Sequence, residues 1–272
     1  MNILMCANEF AYYGLEVAVY SLLKHNKDIN LTVFTTSVLI DDNNGTVHDF
    51  KGMNEYQIKK LKKIVTYFDP NSKVDIVDIS AIYNDFLAGN LNEGTSFSPH
   101  SMMRLLADLH FPPAIEDLMY LDSDVIVNAD ISADYYQYTH SDNAYSAYII
   151  PDACCWQGEM NSGVIFFNMK KCREIRFFER ARMNLDKNRY KFPDQMAMRD
   201  VCTAGQIDPS LNFMYKLHKA VGLPKIIHFT NELEPKAYNE DGGQDYFFQV
   251  YPQFNYIESG LKIIDSLNIK VD

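Results

Sequence analysis

Basic residues are scarce in this sequence. Its 272 residues include 25 Lys and Arg against 36 Asp and Glu, a formal net charge of −11 at pH 7. Proteins that hold nucleic acid by neutralising phosphates carry the opposite balance, as do those that dock electrostatically on anionic lipid. Neither partner is expected, although net charge leaves room for one basic cleft. Long apolar runs are missing as well. No stretch approaches the ~18 consecutive apolar residues of a spanning helix, and Met1-Asn2-Ile3-Leu4-Met5-Cys6-Ala7 lacks the basic leader of a secretory signal. Cysteine is limited to Cys6, Cys154, Cys155, Cys172 and Cys202, with no Cys-x-x-Cys pair. That argues against a zinc ribbon or a dithiol redox motif and for free thiols in a reducing compartment. Glycine-rich phosphate loops are absent in both common forms, and so is the G-x-S-x-G elbow of serine hydrolases. Cys154-Cys155 beside Trp156 has no histidine motif next to it and reads as packing or loop.

What remains is ordinary globular composition, 47% hydrophobic and 22% charged, at a length that fits one large domain. Ile3 to Ala7 reads as a buried strand. Leu15, Ala18, Val19, Leu22 and Leu23 fall on one helical face, closed by His25 and Asn26. Leu31 to Thr36 is β-rich, Asn54 to Phe68 is helical with Ile58, Leu61, Val65 and Phe68 on one face, and Lys73 to Ile79 is a strand. Strand, helix, strand, helix, strand at this spacing predicts a parallel sheet with helices on both faces. Ser98-Pro99 reads as the cap and first residue of a helix that carries Met102, Leu105, Leu106 and Leu109, with Arg104 on another side, and ends at Pro112-Pro113. Further strands are expected at Leu118 to Leu121, Val125 to Val127, Ala144 to Ile150, Gly163 to Met169 and Lys225 to Phe229. Asn231 to Gln244 reads as a loop, and a short helix is expected around Ser259 to Leu267.

The strongest chemical signal is Leu121-Asp122-Ser123-Asp124-Val125. Two carboxylates at the end of an apolar strand point from a rigid sheet into the region where open α/β sheets bind ligands. Like charges this close repel unless a cation sits between them, and oxygen ligands suit Mg²⁺ or Mn²⁺ bridging to phosphate. A solvated acidic turn is the bland reading of the same residues. His228, ending the last strand, is a third candidate ligand or a hydrogen-bonded core residue. Asn161-Ser162-Gly163 before Val164-Ile165-Phe166-Phe167 offers hydrogen bonds suited to sugar hydroxyls, or is a turn. Asp194-Gln195 after Pro193 faces a substrate or caps a helix. Lys236 meets a phosphate or is exposed to solvent.

In their order these pieces resemble the family 8 glycosyltransferases, retaining, metal-dependent enzymes of the GT-A fold that use UDP-sugars, with bacterial lipopolysaccharide galactosyltransferases and glycogenin among them. The resemblance runs from Ile3-Leu4-Met5-Cys6-Ala7-Asn8 through Arg104-Leu105, Tyr120-Leu121-Asp122-Ser123-Asp124-Val125, Asn161-Ser162-Gly163-Val164, Asp194-Gln195 and Leu211-Asn212-Phe213 to Ile227-His228-Phe229. It implies a single Rossmann-like GT-A domain over residues 1–238, with 239–272 a C-terminal extension packed on it. It further implies that Asp122, Asp124 and His228 hold Mn²⁺ (or Mg²⁺) against the UDP pyrophosphate. Ala7 and Asn8 would receive the uridine, with Ser123 between the acids and Asp124 also near the ribose. Arg104, Asn161, Ser162, Asp194 and Gln195 would surround the donor sugar, the last two as catalytic residues, and Lys236 would contact the diphosphate. The implied activity is transfer of galactose or glucose from a UDP-sugar to a glycan, glycoprotein or lipid-linked acceptor. The tail, ending Asn268-Ile269-Lys270-Val271-Asp272, is not basic, so the membrane attachment of some relatives is not carried over. The expected location is the cytoplasm, or the inner membrane face through a partner.

Two other readings compete. A haloacid-dehalogenase-type phosphatase would use Asp122 as nucleophile and Asp124 as acid. Such enzymes place this motif on the first strand, with Thr or Val four residues after the first Asp, where this chain has Ile126. A sugar-nucleotide-binding module without catalysis would keep the ligands and lose turnover.

Overall fold

The computed structural model describes residues 1–41, 45–95, 98–151, 159–214 and 224–230, with 256, 257, 259, 260, 262 and 266 near the C-terminus. Cys154, Cys155, Trp156, the loop read at 231–244, Lys236 and most of the expected last helix lie outside the described residues.

The chain opens with β1 (Asn2–Cys6), α1 (Tyr12–His25) and β2 (Asn30–Thr35), then a hairpin of β3 (Val38–Asp41) and β4 (Val47–Phe50). Next come α2 (Glu55–Phe68), β5 (Lys73–Asp78) and α3 (Ser80–Phe86). A 3-10 helix (Pro99–Leu106) runs into α4 (Ala107–His110), followed by β6 (Asp117–Leu121), β7 (Val125–Val127), α5 (Ser132–Thr139), β8 (Tyr145–Ile149) and β9 (Met160–Asn168). The described chain continues with α6 (Met169–Glu174), α7 (Phe177–Lys187), α8 (Pro193–Arg199), β10 (Gly205–Gln206), β11 (Phe213–Met214) and β12 (Ile226–His228).

The main sheet has the order β10-β8-β9-β6-β1-β2-β5. Its neighbours pair in parallel except around β9, which runs against both β6 and β8. Alternation along each central strand divides the core. Ile3 and Met5 of β1, Met119 and Leu121 of β6, and Val164 and Phe166 of β9 enter one cluster with α1. Leu4 and Cys6, Leu118 and Tyr120, and Ile165 and Phe167 enter the other. A strand buried on both faces reads as a continuous apolar run, as Leu118-Met119-Tyr120-Leu121 does. The predicted mostly parallel α/β sheet with covered faces is the architecture found.

Local chemistry explains the element ends. Asn54 caps α2 in a reciprocal box, its side chain accepting from the Gln57 backbone while Gln57 bonds back. Asn26 ends α1, its Nδ2 donating to Leu22 O at 3.1 Å and to Ala129 O at 3.1 Å. Ser98 caps the next helix and Pro99 fills its first position, as predicted. The helix is 3-10 rather than α over Pro99–Leu106, and Leu109, expected on the buried face, is exposed. A tight three-residue turn brings Met102, Arg104, Leu105 and Leu106 all into the interior.

His100 on that helix is buried between Ser98 and Thr36, its Nε2 3.3 Å from Thr36 O. Burial holds the imidazole down at about 4. The unfolded ring binds its proton near pH 6.5, the folded ring only near pH 4, so the unfolded state holds more protons between the two. Stability is therefore expected to fall as pH drops through that window, by about 3 kcal/mol in total. Urea melts at pH 7 and pH 4 measure the loss, and His100→Gln should flatten it.

Near the C-terminus Ile257 is buried against Val17, Tyr20, Ile126, Ile227 and Phe229. Tyr256 Oη donates to Asn128 Oδ1 at 3.2 Å, and Lys24 Nζ sits 3.8 Å from the Tyr256 ring centroid. No helix among the described residues is long and apolar enough to cross a membrane.

Candidate active site

The acidic motif starts where β6 ends. Asp122 N donates to Gly163 O at 2.8 Å, holding the turn against β9. After Asp124 the chain enters β7, which leaves the main sheet for a small one ordered β11-β12-β7. β12 pairs antiparallel with β7 in a register that sets His228 opposite Val125. The imidazole thereby returns beside the carboxylates: Nε2 lies 3.2 Å from Asp124 Oδ1 and 3.6 Å from Asp122 Oδ2. One ligand atom from each of the three residues lies within 4.8 Å of the others.

The protein holds these groups from beneath. Arg104 is buried, with its guanidinium 3.9 Å from the Tyr120 ring centroid. It donates from Nη2 to Asp122 Oδ1 at 3.0 Å, from Nη1 to Ser162 O, and from Nε to Ser101 O at 2.9 Å. Tyr120 Oη donates to the same Asp122 Oδ1 at 2.7 Å. Asp122 Oδ1 is thus occupied by protein donors, and Oδ2 is the oxygen turned to His228. Asp194, at the start of α8, places Oδ2 3.5 Å from Arg104 Nε, and that oxygen is buried with no hydrogen-bond partner among the described residues.

Burial and charge oppose each other in this cluster. Burial raises Asp122, and Arg104 opposes it while the like charge of Asp124 adds to it. Burial alone would lower His228, but Asp124 outweighs it and the ring is raised. Two carboxylates and an imidazole converge on one point, each with a ligand atom within 4.8 Å of the others. Oxygen, oxygen and imidazole donors suit Mn²⁺ or Mg²⁺, so the residues fit such an ion. Burial works against the charge of Arg104, but Tyr120, Asp122 and Asp194 hold it firmly protonated. Cys6, under the same cluster, is pushed up to about 12 by burial and stays a neutral thiol.

The remaining predicted residues gather at the same edge. Gln195 Oε1 accepts from Ser162 N at 3.1 Å, so its amide nitrogen is the end left for a ligand. Asn161 Oδ1 accepts from Gly163 N at 2.9 Å and from Asn212 Nδ2 at 2.8 Å. Ala7 and Asn8 follow β1, the strand beside β6. Ala7 N donates to Phe34 O at 3.0 Å, and Asn8 Oδ1 accepts from Ala11 N at 2.8 Å to turn the chain into α1. Ser123 is half-buried between the two acids. Arg104, expected around the donor sugar, lies beside Asp122 and Asp194 and donates to Asp122 Oδ1 and to the Ser162 and Ser101 carbonyls. Tyr120 and Asn212 touch the site residues directly, although neither had a role assigned from sequence. The strand glycine Gly163 was the available signal of a close approach.

Residues 2–237 match the family profile of glycosyl transferase family 8. The chain belongs to that family. It is a retaining glycosyltransferase of the GT-A fold, and the family implies a nucleotide-sugar donor and a sugar acceptor. Among solved structures, the galactosyltransferase LgtC in complex with donor and acceptor sugar analogs is similar to this family 8 chain at TM-score 0.65 and 17% identity. The likeness covers 100% of this chain and 98% of LgtC. The bifunctional WbbM glycosyltransferase matches at TM-score 0.65 and 15% identity over 95% of this chain and 51% of its own, so this chain spans about half of WbbM. GlyE of Streptococcus pneumoniae TIGR4 matches at TM-score 0.63 and 15% identity over 97% of this chain and 64% of GlyE. No curated protein sequence matches the chain.

For this glycosyltransferase, Arg104→Met should be costly. It leaves Asp122 and the buried Asp194 without their cation, and breaking such a buried pair costs about 3–5 kcal/mol. Urea denaturation at pH 7 measures that loss directly.

Proposed function

We propose that the protein transfers glucose or galactose from a UDP-sugar to a glycan, glycoprotein or lipid-linked acceptor, with Mn²⁺ (or Mg²⁺) held by Asp122, Asp124 and His228. The observation that carries this reading is the convergence of those three side chains at the end of β6 in a family 8 chain. A cation bound there would neutralise charge that develops on the departing UDP.

The protein's own groups divide the remaining work. Asp194 Oδ2, buried and lacking a hydrogen-bond partner, accepts a bond from a donor-sugar hydroxyl. Gln195, its oxygen tied to Ser162 N, presents amide hydrogens to the sugar or the incoming acceptor. Asn161 uses its amide nitrogen in the same way. Arg104 and Tyr120 orient Asp122 through its Oδ1. The Asn8 side chain is committed to its turn, so the uridine meets the backbone near Ala7 and Asn8. Lys236 contributes charge to the diphosphate. The acceptor oxygen forms its bond to the anomeric carbon on the face that UDP leaves, and the hydroxyl proton passes to the departing phosphate oxygen. Preset donors aimed at developing charge supply most of the acceleration in sites of this type.

Incubation with UDP-glucose or UDP-galactose and Mn²⁺, with and without EDTA, tests the reading. Metal-dependent release of UDP is expected even without acceptor. Binding of UDP-sugars with no turnover would instead favour the non-catalytic module. Hydrolysis of an aryl phosphate with no action on UDP-sugars would revive the phosphatase.

A further inference from the structure

Three hydrogen bonds link the backbone of β9 to the imidazole of His228. Gly163 N donates to Asn161 Oδ1 at 2.9 Å, and Asn212 Nδ2 donates to the same oxygen at 2.8 Å. The other end of the Asn212 amide, Oδ1, lies 3.0 Å from His228 Nδ1. Asn212 is fully buried and His228 nearly so.

The direction of this chain is not free. An amide side chain can turn end for end, and a histidine can move its proton, so single contacts of these types leave the assignment open. A backbone N–H cannot turn. Gly163 N–H therefore requires an oxygen from Asn161. That oxygen requires a donor from Asn212, which turns the Asn212 oxygen to His228. An oxygen there requires Nδ1 to carry the proton. In the neutral ring Nε2 is then bare, with its lone pair facing Asp124 Oδ1 at 3.2 Å and Asp122 Oδ2 at 3.6 Å. Three electron-rich atoms aimed at one another need positive charge between them, which a bound ion or a proton on Nε2 supplies.

We propose that Asn212 is a positioning residue that fixes the tautomer and ring orientation of His228, with Asn161 anchoring Asn212 to the backbone. The proposal rests on the metal reading above for its purpose, but its geometry stands without it. Asn161 then serves two ends, since its oxygen orders the histidine while its nitrogen faces the proposed sugar subsite. Partners that orient a ligating histidine in this way are worth about 10–100-fold in metal affinity.

Long-range ¹H–¹⁵N spectra of the metal-free protein, taken at a pH above the ring's own titration, test it. His228 should appear as a single tautomer with Nδ1 protonated and Nε2 bare, and a ring protonated at Nε2 would overturn the proposal. Asn212→Leu should give mixed tautomers and bind Mn²⁺ about 10–100-fold more weakly by titration. Asn212→Asp, which keeps an oxygen for Nδ1–H but loses the bond to Asn161 Oδ1, should recover the single tautomer. Leucine and aspartate variants that both match the wild type would overturn it too. The wild-type spectrum decides alone if the leucine variant does not fold. A wild-type protein that shows the expected tautomer but binds neither Mn²⁺ nor Mg²⁺ would support the positioning and refute the metal reading.

Discussion

Asn in place of Asp124 is expected to abolish transfer and to remove the metal dependence of UDP binding. The substitution keeps side-chain size and leaves the backbone bond from Phe229 N to Asp124 O, 3.0 Å long, in place. What it removes is the charge 3.2 Å from His228 Nε2. Loss of partners that only orient a ligand costs about 10–100-fold in affinity, so loss of a ligand should exceed that range. The rate should fall by at least about 10²–10³-fold, the range measured when one preset electrostatic contact is deleted. Calorimetry of UDP with and without EDTA checks the binding. UDP affinity indifferent to both EDTA and the substitution would mean that the carboxylates hold no metal.

Gly163→Ala should be nearly as damaging, by a different route. A Cβ built on Gly163 would lie 2.2 Å from Cε1, 2.5 Å from Nδ1 and 2.8 Å from Nε2 of His228. Such a contact is tolerable against the loose end of a long side chain, but His228 is a buried ring bonded to Asn212. The ring must move, and with it the ligand atom. Overpacking of this kind costs about 1–3 kcal/mol. Mn²⁺ affinity should drop by about 10–100-fold, as when a ligand loses its orientation. A thermal melt and a metal titration on the same sample separate the two effects. Unchanged metal affinity would show that the ring has room that the structure does not give it.

The sheet and the acids were legible in sequence because their signals are local. Leu118-Met119-Tyr120-Leu121 is a run that only a doubly buried strand needs, and Asp122 and Asp124 follow it directly. The fate of His228 was less legible. Its place depends on the pairing of β12 with β7, a contact between distant segments that no periodicity records. Arg104 read as a residue apart from the apolar positions of its helix. The 3-10 geometry instead turns it inward, to acids that sequence alone does not place beside it. The β3–β4 hairpin has a local signal of its own in Asn44-Gly45 between Val38-Leu39-Ile40 and Val47, one that such short strands make easy to miss. Leu211-Asn212-Phe213 is part of the resemblance, but no role for Asn212 follows from it, since a buried asparagine is recognised by the partners it meets.

The small sheet of β11, β12 and β7 gives the site a thermodynamic consequence. The carboxylates stand just before β7 and the imidazole ends β12, its antiparallel partner, so an ion held between them would act as a cross-link. It would close a long loop of chain that the unfolded state leaves open. Occupancy and folding then become one linked equilibrium. The concentration of free cation sets how much of the protein is charged with its ion and, through the same constants, how stable that corner of the molecule is against unfolding.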